Sequence, residues 1–185
     1  RIEVKVGLSY TSVENARLNL ESEASTLDFD GARRSAEAKW DEYLGRIEVE
    51  GGSEEDRVKF YTGLYHALLG RGCASDVNGA YPRNDGTVGQ IPLDAEGRPL
   101  HKLYNTDAVW GAYWNLEQLW ALAYPEYYSD YIRSHLRVYE DAGWLGDGLA
   151  CSKYVSGVGT NMVSVVMAGA YQCGIRDFDV EKAYE

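Results

Sequence analysis

Apolar positions recur at two spacings along this chain. Over residues 1–20, Ile2, Val4, Val6 and Leu8 alternate with Glu3, Lys5, Gly7 and Ser9, a period of two that predicts a half-buried β-strand. Residues 13–20 are weaker and read as a loop or a short strand. An isolated strand cannot satisfy its edges, so this opening reads as the end of a sheet domain. From residue 28 the period lengthens. Ala32, Ala36, Trp40 and Leu44 recur every four residues and predict a helix over 28–45, stopped by Gly45. A short extended link follows, and then Ser53 opens the best-signalled helix of the chain. Ser53 and Asp56 have the spacing of a capping box. Glu54, Glu55 and Asp56 favour the positive end of the helix dipole. Val58, Tyr61, Leu64, Tyr65 and Leu68 then mark an aromatic core face, closed by Gly70.

Helical periodicity disappears over 71–104. Asn78-Gly79, Asp85-Gly86 and three prolines predict turns, with a hairpin among them, and the interspersed Tyr81, Val88, Ile91, Leu100 and Tyr104 predict an ordered loop. Helices return over 106–124, over 126–142 with Gly143 as its stop, and over 161–173 with Gly174 as its stop. A glycine-rich loop over 144–160 precedes the last of these, and a further element begins at Asp177. Helices joined by alternating short and long connections predict an α-hairpin barrel or toroid.

The chain has 185 residues, 45% of them apolar, enough for one sizeable core. The net charge of −11 argues against a nucleic-acid or anionic-membrane partner, because both need a positive surface. No apolar run has the length of a membrane span, and no signal peptide stands at Arg1, so an export signal would lie upstream. Cys73, Cys151 and Cys173 are too scattered for a disulfide framework or a zinc site, and each is expected to be buried. His66, His101 and His135 have no metal spacing. Fifteen tyrosines and five tryptophans are an unusual load; much of it reads as core, and the count mildly favours a sugar ligand, since carbohydrate sites use aromatic platforms with polar rims.

Four ordered motifs resemble the glycoside hydrolase family 92 alpha-mannosidases. Residues 46–69, RIEVEGGSEEDRVKFYTGLYHALL, are similar to a family run of the form RIEVEGGS…FYTALYHSLL. SDVNGAYPRNDG (75–86) resembles a loop of the form S-D-x-x-G-x-Y. VWGAYWNLEQLWALAYPE (109–126) aligns without gaps on L-W-D-T-F-R-x-x-H-P-L-x-x-L-x-x-P-E. AYQCGIRDFDVEKAYE (170–185) resembles A-Y-x-K-G-I-x-D-F-D-x-E-x-A-Y.

The resemblance implies a mainly α fold: the start of an (α/α)6 barrel, preceded by the terminal strand or strands of a β-sandwich domain. Residues 1–27 would close the sandwich, 28–52 would form a linker helix and connector, and 53–185 would begin the catalytic barrel. It further implies calcium-dependent, inverting removal of alpha-linked mannose from glycans by a secreted, periplasmic or cell-surface enzyme, with the rest of the parent polypeptide as partner. The acid and base residues of the family lie downstream of the last motif, so none is assigned here, nor is any calcium ligand.

In the third motif the family's Asp and Arg are replaced by Gly111 and Trp114, and its His-Pro by Glu117-Gln118. Asp107, one helical turn before Gly111, either replaces the lost carboxylate or caps the helix. Trp110 and Trp114, four residues apart, read as core or as sugar platforms. Asp147 between two glycines reads as a sugar-binding carboxylate or a turn residue, Trp144 as a platform or a core tryptophan, and Asn161 as a sugar contact or a helix cap. Asp107, Trp110, Trp114, Glu117, Trp144, Asp147 and Asn161 are the candidate substrate-binding residues. The Gly111 and Trp114 replacements leave two alternatives to a mannosidase: a carbohydrate-binding or scaffold relative without catalysis, and a hydrolase of the same fold with another glycoside as substrate. Asp76, Asn78 and Asp85 fit no EF-hand spacing and read as turn residues.

Overall fold

A computed structural model describes residues 2–70, 72–106, 108–146, 149–150, 153–154 and 162–185. The helices are α1 (Val13–Ala24), α2 (Phe29–Leu44), α3 (Glu54–Leu68), α4 (Val109–Ala112), α5 (Leu116–Ala123), α6 (Pro125–Ala142), α7 (Val163–Gln172) and α8 (Val180–Tyr184). Two antiparallel pairs accompany them. β1 (Ala80–Pro82) pairs with β2 (Val88–Gln90) in the register Tyr81 opposite Gly89, and β3 (Leu149–Ala150) pairs with β4 (Lys153–Tyr154).

The expected end caps form. Asp28 accepts from the Gly31 amide at the start of α2, and Gly45 follows its last residue. At α3 the Ser53–Asp56 capping box is complete in both directions. Pro125 occupies the first turn of α6, where its missing N–H costs no hydrogen bond, and Gly143 closes that helix at φ 76°. The region 72–104 is an ordered excursion, as expected. Its hairpin is β1–β2, and bridges join Cys73 to Tyr104 and Leu93 to Pro99.

The first twenty residues run into a helix, and they form no strand pairing within the described residues. Residues 2–9 form no ladder with any described residue, and Ile2, Val4, Val6 and Leu8 are all exposed. Alternation gives a strand only where a partner edge is available. Here the segment instead folds back over a helix, α1, in a stretch read as loop or strand. Lys5 donates from Nζ to the Ala24 and Ser25 carbonyls at the end of α1, and a Cβ at Gly7 would stand 2.1 Å from the Ala16 carbonyl oxygen. α1 buries no residue, so no apolar stripe could have announced it. Its ties are polar. Asn19 donates to Asp76 and to the Leu8 carbonyl, both at 2.7 Å, Ser9 donates to the same aspartate at 2.9 Å, and Thr11 donates to it as well. Asp76 is buried and serves as the hub that fixes α1 to the 72–104 excursion.

The main core lies between α5, α6 and α7. Trp120 makes edge contacts with Tyr127, Tyr128 and Tyr131, and Ile132, Val163 and Val166 are wholly buried around them. Buried tyrosines need partners for their hydroxyls. Tyr128 donates to the Val166 carbonyl at 2.8 Å, and Tyr124 donates to the Tyr43 carbonyl at 2.9 Å, tying α2 to the core. A smaller cluster of Ala74, Tyr81, Ile91 and Leu103 packs under the excursion, against Val138 of α6.

Candidate functional site

The third motif departs from the continuous helix expected over 106–124. It is divided at 113–115 into α4 and α5. Asn115 stands at φ −158°, outside the helical region, and Ala108 before α4 is left-handed at φ 56°. Gly111 and Asn115 are weak helix formers, and the segment breaks there even though Val109 and Ala112 of α4 are buried in the core. Trp110 is on α4 and 47% exposed; Trp114 is in the break and 71% exposed, its ring 4.8 Å from that of Tyr113. The core reading of both rings is therefore corrected: they lie at the surface. Glu117, in the first turn of α5, is 3% exposed and sits beside Tyr128. Burial, then the Glu117 charge, pushes the Tyr128 phenol well above its ordinary value. At Gly111 an added Cβ would meet open space, so the position accepts a side chain.

Trp144 lies elsewhere. It is half exposed and lines a cavity of about 250 Å³ between the β1–β2 turn and the end of α6. Tyr81, Arg83, Asp85, Leu103, Val138 and Asp141 share that cavity, whereas Trp110, Trp114 and Glu117 do not line it. Tyr81 donates its hydroxyl to Asp141 Oδ2 at 2.7 Å, and Arg83 Nε donates to Oδ1 at 3.0 Å. Burial, followed by the neighbouring Asp141 carboxylate, pushes the Tyr81 phenol up to about 12, so it remains a donor at physiological pH. Gly89, opposite Tyr81 in the hairpin, gives the tyrosine its place: a Cβ there would stand 2.2 Å from the ring.

A second cavity, of about 300 Å³, is lined by Trp40, Tyr43, Leu68, Tyr104, Trp120 and Tyr124, with Lys39 as its charged member. It offers stacking surface and few hydrogen bonds.

Asp107, Asp147 and Asn161 lie outside the described residues. Of the remaining candidates, the structure places Trp110 and Trp114 exposed at α4 and the break after it, Glu117 in the core and Trp144 on the cavity beside Asp141. Sequence reasoning missed Tyr81, Arg83 and Asp141. Tyr81 carried a signal, as the last position of the S-D-x-x-G-x-Y motif; Asp141 carried none, because nothing in a helical period marks a carboxylate that meets a distant hairpin. Cys73 and Cys173 are free and exposed, contrary to the burial expected of them, and Cys151 lies outside the described residues. Exposure follows from their places, beside a turn and at a helix end, where no packed face covers them. Among the described residues no group of three or more His, Cys, Asp or Glu side chains is arranged to hold a metal. No described helix is long and apolar enough to cross a membrane.

Known structures share this arrangement. An alpha-mannosidase of family 92 from Bacteroides thetaiotaomicron, solved with mannoimidazole, superposes with a TM-score of 0.85 over 95% of this chain and 22% of its own, at 24% identity, a likeness of fold. An inverting mannosidase of the same family and bacterium gives 0.83 at 27% identity, over 95% of this chain and 23% of its own. A family 92 glycosyl hydrolase called ccman5 gives 0.76 at 29% identity with the same coverage. This chain thus spans less than a quarter of the length of the structures it matches. No functionally curated protein matches it. The mostly helical architecture is that of the family 92 fold, whose catalytic domain is an (α/α)6 barrel. The sequence model of the glycosyl hydrolase family 92 catalytic domain matches residues 15–185, nearly the whole chain. This chain belongs to glycosyl hydrolase family 92, as part of its catalytic domain.

Proposed function

We propose that the protein carrying this chain is a glycoside hydrolase that removes alpha-linked mannose from glycans by inverting, calcium-dependent hydrolysis, and that this chain supplies part of its substrate cleft. The family match over residues 15–185 carries the reading, and the mannosidases of like fold support it. Inversion requires two carboxyl groups far enough apart to admit a water, roughly 6.5–9.5 Å. The acid and base would come from the rest of the parent polypeptide, as would the carboxylate and carbonyl oxygens that calcium prefers. The chain by itself would be inactive. Its contribution would be recognition, through Asp107, Trp110, Trp114, Trp144, Asp147 and Asn161, whereas Glu117, buried in the core, would act only from behind them. The enzyme would act outside the cytoplasm, where glycan substrates are met.

A second reading, a carbohydrate-binding relative without catalysis, is favoured by Gly111 and Trp114, which stand where the family has Asp and Arg. A third is a hydrolase with another glycoside as substrate. One experiment separates them: release of free sugar from alpha-linked manno-disaccharides by the intact protein, with calcium and then with a chelator. Calcium-dependent mannose release is expected. Binding without release from any linkage would favour the second reading, and release of another sugar the third. Because Gly111 has room for a side chain, the double variant Gly111→Asp, Trp114→Arg should fold and should shift substrate preference toward the family's usual one.

A further inference from the structure

We propose that the cavity between the β1–β2 turn and the end of α6 is a binding subsite for one neutral pyranose ring, with Trp144 as its platform and Asp141 as its hydroxyl anchor. The inference deepens the carbohydrate reading and rests on it. Three separate stretches of chain build the cavity: Tyr81 and the turn after it, Leu103, and the end of α6 with Trp144 just beyond the left-handed Gly143. Sugar rings are bound where an aromatic face meets a rim of polar groups, because a pyranose offers an apolar C–H face and equatorial hydroxyls. Trp144 is half exposed on the cavity, while Leu103 is buried at its floor.

The polar groups are fixed before any ligand arrives. Tyr81 and Arg83 each donate to a different oxygen of Asp141. A carboxylate has about four acceptor sites, so this pair leaves capacity for hydroxyl donors from a ligand. Arg83 retains further guanidinium donors for hydroxyl oxygens. The missing side chain of Gly89 lets the Tyr81 ring lie flat against the hairpin, which aims its hydroxyl at Asp141. Charge narrows the ligand class. Asp85 and Asp141 outnumber Arg83 on the lining, so a phosphorylated or carboxylated sugar is disfavoured and a neutral one fits. At about 250 Å³ the space falls just below that of pockets for drug-sized ligands, roughly 300–1,000 Å³, which suits one ring rather than a chain of them.

The test uses the intact protein labelled with fluorotryptophan. The fluorine resonance lost in Trp144→Phe is assigned to Trp144, and the protein is titrated with methyl α-mannoside, methyl α-glucoside and a phosphorylated hexose. The Trp144 resonance should move with a neutral glycoside and stay still with the phosphorylated one. Trp144→Ala, at an exposed position that leaves folding intact, and Asp141→Asn should each weaken that titration roughly tenfold, with Trp144→Phe retaining most of the affinity. A Trp144 resonance that ignores every neutral glycoside, or follows the phosphorylated sugar more strongly, overturns the proposal. The outcome is separable from that of the hydrolase reading. Neutral-sugar binding at Trp144 in a protein that cleaves nothing keeps the subsite and removes the enzyme. Mannose release with an unresponsive Trp144 does the reverse.

Discussion

α3 and α6 are alike in sequence and unlike in the fold. Both carry aromatic residues at helical spacing, and both have well-formed starts, a capping box in one and a leading proline in the other. Yet α6 buries seven residues and α3 buries Leu64 alone. α6 lies between α5, α7 and the 72–104 excursion, so every side of its aromatic stripe meets a neighbour. α3 meets α2, through contacts such as Trp40 with Tyr65, and leaves Val58 more than half exposed. An apolar period therefore establishes that a helix forms; how much of it is removed from water depends on what the topology sets beside it.

The strongest way to break this comparison is at Trp120, which α6 surrounds with three tyrosines. Trp120→Ala should cost about 3–5 kcal/mol in urea unfolding, and a loss as small as that of an exposed α3 residue would remove the distinction. Next comes the polar hub. Asp76 is buried and accepts from Ser9, Thr11 and Asn19. Asp76→Ala strands those donors, and about 2–3 kcal/mol should be lost, with α1 amides exchanging with solvent well before those of α6.

The third test uses pH. His135 on α6 is wholly buried against the Tyr131 ring, and burial drives its pKa down to about 3, from an ordinary value of 6.5. The unfolded chain therefore binds a proton that the folded chain refuses. The stability this group contributes is complete above pH 6.5 and is lost as pH falls from there toward 3. At pH 5 the loss should be about 2 kcal/mol. His135→Leu should flatten that part of the stability profile, and an unchanged slope would contradict the assignment. The smallest effect is expected on α3, where Val58→Ser should change stability by no more than about 0.5 kcal/mol. A larger cost would mean that this face is covered in solution.

Legibility in the sequence followed the same division. α2, α3, α6 and α7 were readable because apolar period, caps and glycine stops agreed. α1 was not, because what fixes it is a set of asparagine and serine contacts to an aspartate some sixty residues away, and no local period encodes such a contact. The break between α4 and α5 was missed because the aliphatic frame of the motif continues through it. Of the residues on the cavity, Trp144 was singled out from its loop context, whereas no local period marks Asp141.

The sequence by itself determined that the segments of α2, α3, α6 and α7 are helical, where they stop, and, through four ordered motifs, the family. Those properties are written in spacings of a few residues, where backbone hydrogen bonding and side-chain period are set. The tertiary structure alone decided that the opening residues lie along a helix, α1, that Glu117 is buried while Trp114 is exposed, and that Tyr81, Arg83 and Asp141 converge. Each of these depends on contacts between distant parts of the chain, whose geometry comes from packing the helices together.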